Sequence, residues 1–160
     1  NLTINNVWGG VFLGGGYSQP EDCLVENNIM VESSTYQFDA AVAAGAAGNR
    51  WRRNIVYYKS PNAALLRARD TNGIAECDYN VYDTPDGAEP RILDCWMENG
   101  KQAVSDYGEW RGKGYDAHSI VADPLFVDAE NGDYSLRPES PAFKLGFEPI
   151  DLSRVGPQAP

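Results

Sequence analysis

The sequence has no apolar run long enough to cross a bilayer, no Cys-x-x-Cys pair, no glycine-rich phosphate loop and no nucleophile elbow. These absences exclude spanning helices, cysteine-pair zinc modules, P-loop chemistry and the α/β-hydrolase motif. Histidine occurs once, at His118. The three cysteines, Cys23, Cys77 and Cys95, cannot all pair with one another. Buried reduced thiols are the simpler expectation, and one disulfide with a free thiol is the alternative. No signal peptide is visible and the first residue is Asn, so a mature product or a fragment is expected. Acidic residues are missing from residues 40–69, which carry Arg50, Arg52, Arg53, Lys59, Arg67 and Arg69. The net charge is nevertheless −10, so a basic stripe is expected on an acidic body. That global charge opposes nucleic-acid binding.

What is present is a chain of 160 residues with 42% apolar residues, 16 Gly and 10 Pro. This suits one domain of short strands and many turns. Four segments resemble each other: Asn6-Val7-Trp8, Asn28-Ile29-Met30, Asn54-Ile55-Val56 and Asn80-Val81-Tyr82. Three positions before each Asn stand Thr3, Val25, Trp51 and Cys77. The near-constant spacing predicts a solenoid, and the β-branched runs between turn residues make it a β-solenoid. A sandwich would not need that spacing. In a β-solenoid equivalent residues stack about 4.8 Å apart. The four Asn residues are therefore expected to form an amide ladder, with Val7, Ile29, Ile55 and Val81 inward beside it. Two positions before the later Asn residues, Glu26, Arg52 and Asp78 are expected in one charge-alternating column, which makes Arg52 structural.

A second strand per coil is read around Phe12, Phe38 and Leu66, facing inward, with Leu13, Asp39 and Arg67 outward. Residues 1–131 are expected to form the coils, with a long insertion loop near 84–118. Residues 132–160, with five prolines, are expected to be a strap or end cap of the same domain. The first coil has no cap of its own, so the remainder of a longer chain or a partner subunit is expected to cover it.

The segment Gly114-Tyr115-Asp116-Ala117-His118-Ser119-Ile120-Val121-Ala122-Asp123-Pro124-Leu125-Phe126-Val127-Asp128 resembles the C-terminal signature of bacterial right-handed parallel β-helix proteins of the pectin-lyase-like superfamily. Gly132-Asp133-Tyr134-Ser135-Leu136 and the run from Ser140-Pro141-Ala142 to Gly146 continue the match, as does the Asn-Ile/Val repeat. The resemblance implies a single-stranded right-handed parallel β-helix and relatives that include polysaccharide lyases and glycoside hydrolases. Such proteins carry more coils, and their catalytic groove lies on central ones. The vicinal Asp pairs of pectin hydrolases are missing here.

Function is therefore expected to be carbohydrate-active and extracytoplasmic, secreted or periplasmic, on a polysaccharide that the basic stripe suggests is acidic. Lyase or hydrolase chemistry is expected if the chain is catalytic; a non-catalytic carbohydrate-binding or structural β-helix fragment is the alternative. Asp39 and Arg67 are the catalytic candidates, since an arginine beside a carboxylate can hold a uronate or assist proton abstraction; a surface ion pair is the competing reading. Arg69 and Asp70 extend that patch as substrate-binding candidates, and Trp96 and Trp110 are candidates for stacking on sugar rings. His118 is either a general acid or base or a structural hydrogen-bonding residue. No cofactor is expected. Calcium is the one metal that Asp116, Asp123, Asp128 and Asp133 suggest, and their wide spacing without an EF-hand loop argues against it.

Overall fold

In each coil the chain makes three short strands and turns three corners. The structure, a computed structural model, describes residues 1–14, 19–40, 46–68, 71–93, 95–96, 102–104 and 106–151; for 95–96 and 102–104 this is the backbone alone. The first coil holds β1 (Leu2–Ile4), β2 (Gly9–Phe12) and β3 (Leu24–Glu26). The second holds β4 (Ile29–Val31), β5 (Tyr36–Ala40) and β6 (Asn49–Arg52), and the third β7 (Ile55–Tyr57), β8 (Ala64–Ala68) and β9 (Ile74–Asp78). After β10 (Val81–Asp83) and β11 (Ile92–Leu93) come a short pair, β12 (Cys95–Trp96) and β13 (Gln102–Val104), then α1 (Tyr107–Gly112) and β14 (Ile120–Val121). The chain ends in the hairpin of β15 (Phe126–Asp128) and β16 (Asp133–Leu136). Three parallel sheets result: β1-β4-β7-β10-β14, β2-β5-β8-β11 and β3-β6-β9. This is a parallel β-helix.

The ladder exists, with a different first member. Asn1 Nδ2 donates to Asn28 Oδ1 at 2.9 Å, Asn28 Nδ2 to Asn54 Oδ1 at 2.9 Å and Asn54 Nδ2 to Asn80 Oδ1 at 3.2 Å. The backbone N–H of Asn80 donates to Ser119 Oγ at 2.9 Å, so Ser119 takes the next rung after a detour of 39 residues. The true spacings are 27, 26 and 26. Asn6 is outside the ladder, and Val7 is 83% exposed. The pairing of Leu2 with Ile29 sets this register; a match on Asn-Val alone could not distinguish Asn1-Leu2 from Asn6-Val7.

The ladder's apolar neighbours are buried but do not face the interior. Met30, Val56 and Tyr82 point inward, among Phe38, Trp51, Leu66 and Cys77. Ile29, Ile55 and Val81 point out, where alternation along the strand puts them, and the C-terminal segment covers them with Phe126, Tyr134, Ala142 and Phe147. That segment is a strap along the side of the helix. It reaches back to the second coil, where Asn27 Nδ2 donates to the Glu148 carbonyl at 2.9 Å and Asn27 Oδ1 accepts the Glu148 N–H at 2.6 Å. The end of the interior is plugged by α1 instead: Tyr107 and Trp110 are buried in the interior core. The region read as an insertion thus holds the helix that plugs the end, and the region read as a strap or end cap lies as a strap along the side.

The second sheet is shifted by one residue at its first strand. Val11 pairs with Phe38 and Phe38 with Leu66, while Phe12 pairs with Asp39 and is 54% exposed. Phe12 therefore lies in the Asp39–Arg67 column and not in the aliphatic stack. The two strands leave no room for a side chain at Gly10, where a Cβ would come within 2.6 Å of the Gln37 carbonyl oxygen. In the interior, Phe38 stacks on Trp51 with ring centroids 3.6 Å apart. The first coil leaves Ile4, Val7, Trp8 and Leu24 exposed, and Thr3 Oγ1 is buried without a partner among the described residues.

Candidate functional site

Asp39 on β5 and Arg67 on β8 are register partners on the outward face of the second sheet. The guanidinium forks onto the carboxylate: Nε donates to Oδ1 at 3.0 Å and Nη2 to Oδ2 at 2.9 Å. Trp8 Nε1 donates to Asp39 Oδ2 at 3.3 Å. The Arg67 guanidinium also lies over the rings of Tyr36 and Trp8, 4.9 and 5.8 Å from their centroids. The Asp39 side chain is fully buried, and that of Arg67 is 17% exposed. Burial pulls the Arg67 pKa down, but the hydrogen bond and charge of Asp39 outweigh it and hold the guanidinium more firmly protonated than usual. A carboxylate that is buried and already accepts three hydrogen bonds is poorly placed to take a proton from a ligand. What the cluster offers outward is the indole of Trp8, 57% exposed, beside a fixed positive charge.

The remaining candidates separate. Arg69 and Asp70 lie outside the described residues, as does the Trp96 side chain. Trp110 is fully buried; its ring stacks on Tyr115 and its Nε1 donates to Asp116 Oδ2 at 2.8 Å, so it has no open face for a sugar. Asp116 occupies the column of Trp51 and Cys77, its N–H bonding the Cys77 carbonyl at 2.6 Å. Its Oδ1 accepts from Ser119 Oγ at 2.6 Å, Tyr82 OH at 2.8 Å and Asn80 Nδ2 at 3.4 Å. Burial pushes its pKa above the usual aspartate value, and these hydrogen bonds offset only part of that. The same burial, with Asp116 nearby, pushes the Cys77 thiol and the Tyr82 phenol well up. Cys23 and Cys77 are free thiols. The calcium candidates do not converge: Asp123, Asp128 and Asp133 each accept from N–H groups of their own turns, and no group of three or more metal-binding side chains gathers among the described residues.

Two charged arrangements lie near the corner before the first sheet. Arg52 Nε meets Glu26 Oε1 at 3.0 Å, and its other acid is Glu76, at 3.4 Å, not Asp78. Arg53 also bonds Glu26. Asp78 is turned to His118: it accepts the His118 backbone N–H at 2.7 Å, and its Oδ2 lies 2.7 Å from His118 Nδ1. Burial pushes the Asp78 pKa up, but the His118 bonds and the Tyr79 N–H more than offset this and leave it below the usual value.

Sequence reasoning missed Trp8, Tyr36, Asp78 and Tyr79. Trp8 had been absorbed into the false Asn6 repeat. The corrected β2 register pairs Phe12 with Asp39, and Trp8 reaches the same carboxylate only by its side chain, from just before β2.

No family model and no solved structure matches the chain. It is 26% identical over 149 residues to the uncharacterized protein YwoF of Bacillus subtilis (strain 168), an alignment covering 89% of this chain and 31% of YwoF. The chain thus spans about a third of the length of the curated relative it matches.

Proposed function

We propose that these coils are the polysaccharide-recognition section of a carbohydrate-active β-helix, extracytoplasmic in setting. One observation carries this reading: Asp39 and Arg67 are locked onto each other beneath an exposed indole. The pair suits a fixed binding platform, with Trp8 to stack on a sugar face and Arg67 to favour an acidic sugar. It does not suit a lyase or hydrolase centre, which needs a free base or two accessible carboxyls. Any such centre belongs on other coils of a longer protein. The exposed edge of the first coil supports stacking by the remainder of such a chain or by a partner subunit.

The test is binding of a uronate polymer and a neutral glucan to the folded chain. Affinity for the uronate polymer is expected to be higher, to fall with added salt, and to drop at least about fivefold on Trp8→Ala. Equal or absent binding of both polymers would refute the reading.

A further inference from the structure

Where the third sheet turns into the first, successive coils place Asn27, Arg53 and Tyr79 in one corner column, all with left-handed backbone (φ 56°, 51° and 59°). For a residue as bulky as Tyr79 that conformation is costly, and the stacked corner enforces it. His118, the residue before the Ser119 rung, is next in the column. Its ring lies on that of Tyr79 with centroids 4.7 Å apart and planes 1° from parallel.

Asp78 fixes how this imidazole faces. The carboxylate is held by the N–H groups of Tyr79 and His118, and its Oδ2 receives Nδ1. A neutral imidazole so held keeps its proton on Nδ1 and turns the Nε2 lone pair away from the protein. Among the described residues neither Nε2 nor the Tyr79 hydroxyl has a protein partner, and the His118 side chain is 60% exposed. Further down the column, Glu26, Asn27, Arg53, Gly146 and Glu148 line a pocket, walled on one side by the strap.

We propose that this corner is a second carbohydrate-contact site, in which His118 Nε2 accepts a hydroxyl hydrogen of a linear oligosaccharide lying along the column toward Arg53. It is separate from the Trp8 platform, which lies on the second sheet, and it rests on the reading that the ligand is a polysaccharide. Tyr79 supports the imidazole and adds an open hydroxyl. Asp78 is a positioning residue, acting through His118.

The experiment is an NMR titration of the ¹⁵N-labelled chain with a uronate oligomer and, separately, a neutral glucan oligomer. The neutral imidazole is expected to show Nδ1 protonated and Nε2 bare, and Asp78→Asn is expected to relax that preference. Oligomer should shift the Nε2 resonance, and His118→Ala should weaken binding about fivefold to tenfold. Trp8→Ala should leave the His118 shift in place. Oligomer that perturbs Trp8 and not His118 would make His118 a mere end of the column and overturn this site alone. Oligomer that perturbs neither would overturn the recognition reading with it.

Discussion

Arg67 and Asp39 show what a single ion pair contributes when one partner is fully buried. Arg67→Ala leaves the Asp39 carboxylate enclosed with its two strongest donors gone. The expected loss is about 3 kcal/mol, read from urea unfolding, with much less additional loss when Asp39→Ala is combined with it. Asp116 makes a second residue-scale prediction. Its pKa is raised on folding, so the folded state holds the proton more tightly than the unfolded chain. The resulting stabilisation is fully present below the ordinary aspartate value and is lost as pH rises through the higher folded value. Asp78 has the opposite sign, its contribution being lost as pH falls through its lowered value. Asp116→Asn should therefore cost most in acid, and its deficit relative to the unmodified chain should shrink toward neutral pH. Unfolding free energies measured across that range check this; a deficit that grows with pH would contradict it.

Elements take their register from the Asn ladder. An interior rung serves both neighbours: Asn54 Oδ1 accepts from the backbone and side chain of Asn28, and its own N–H and Nδ2 bond Asn80. Asn54→Ala should cost about 2–4 kcal/mol by leaving buried groups unpaired, while Asn6→Ala should stay within about 0.5 kcal/mol. Equal costs in thermal or urea unfolding would restore the sequence-based register. The architecture was legible because stacking forces equivalent residues into near-constant spacing, and the columns from Asn28 onward followed from it. The first rung was not legible, since Asn1-Leu2 and Asn6-Val7 carry the same local pattern. Nor was the facing of Ile29, Ile55 and Val81. An apolar residue reads the same whether an interior or an overlying strap buries it. Of the site, the Asp39–Arg67 contact followed from coil spacing. Trp8 and Tyr79 join their sites through corners whose geometry no local pattern states.

For the whole molecule, two covers close the β-helix differently. The helix α1 closes one end with Tyr107 and Trp110, and the strap seals the first sheet's outer face with Phe126 and Tyr134. Phe126→Ala should cost about 3–5 kcal/mol, as for other buried aromatics, although Phe126 is outside the helix interior. The role proposed for the Trp8–Arg67 face on the second sheet is recognition of a polysaccharide without cleavage. Incubating the folded chain with a uronate polymer, and following both its retention and its length, tests that role most directly. The polymer is expected to be retained at unchanged length, and Trp8→Ala to reduce retention. Shortening of the polymer by the unmodified chain, abolished by Asp39→Asn, would contradict it.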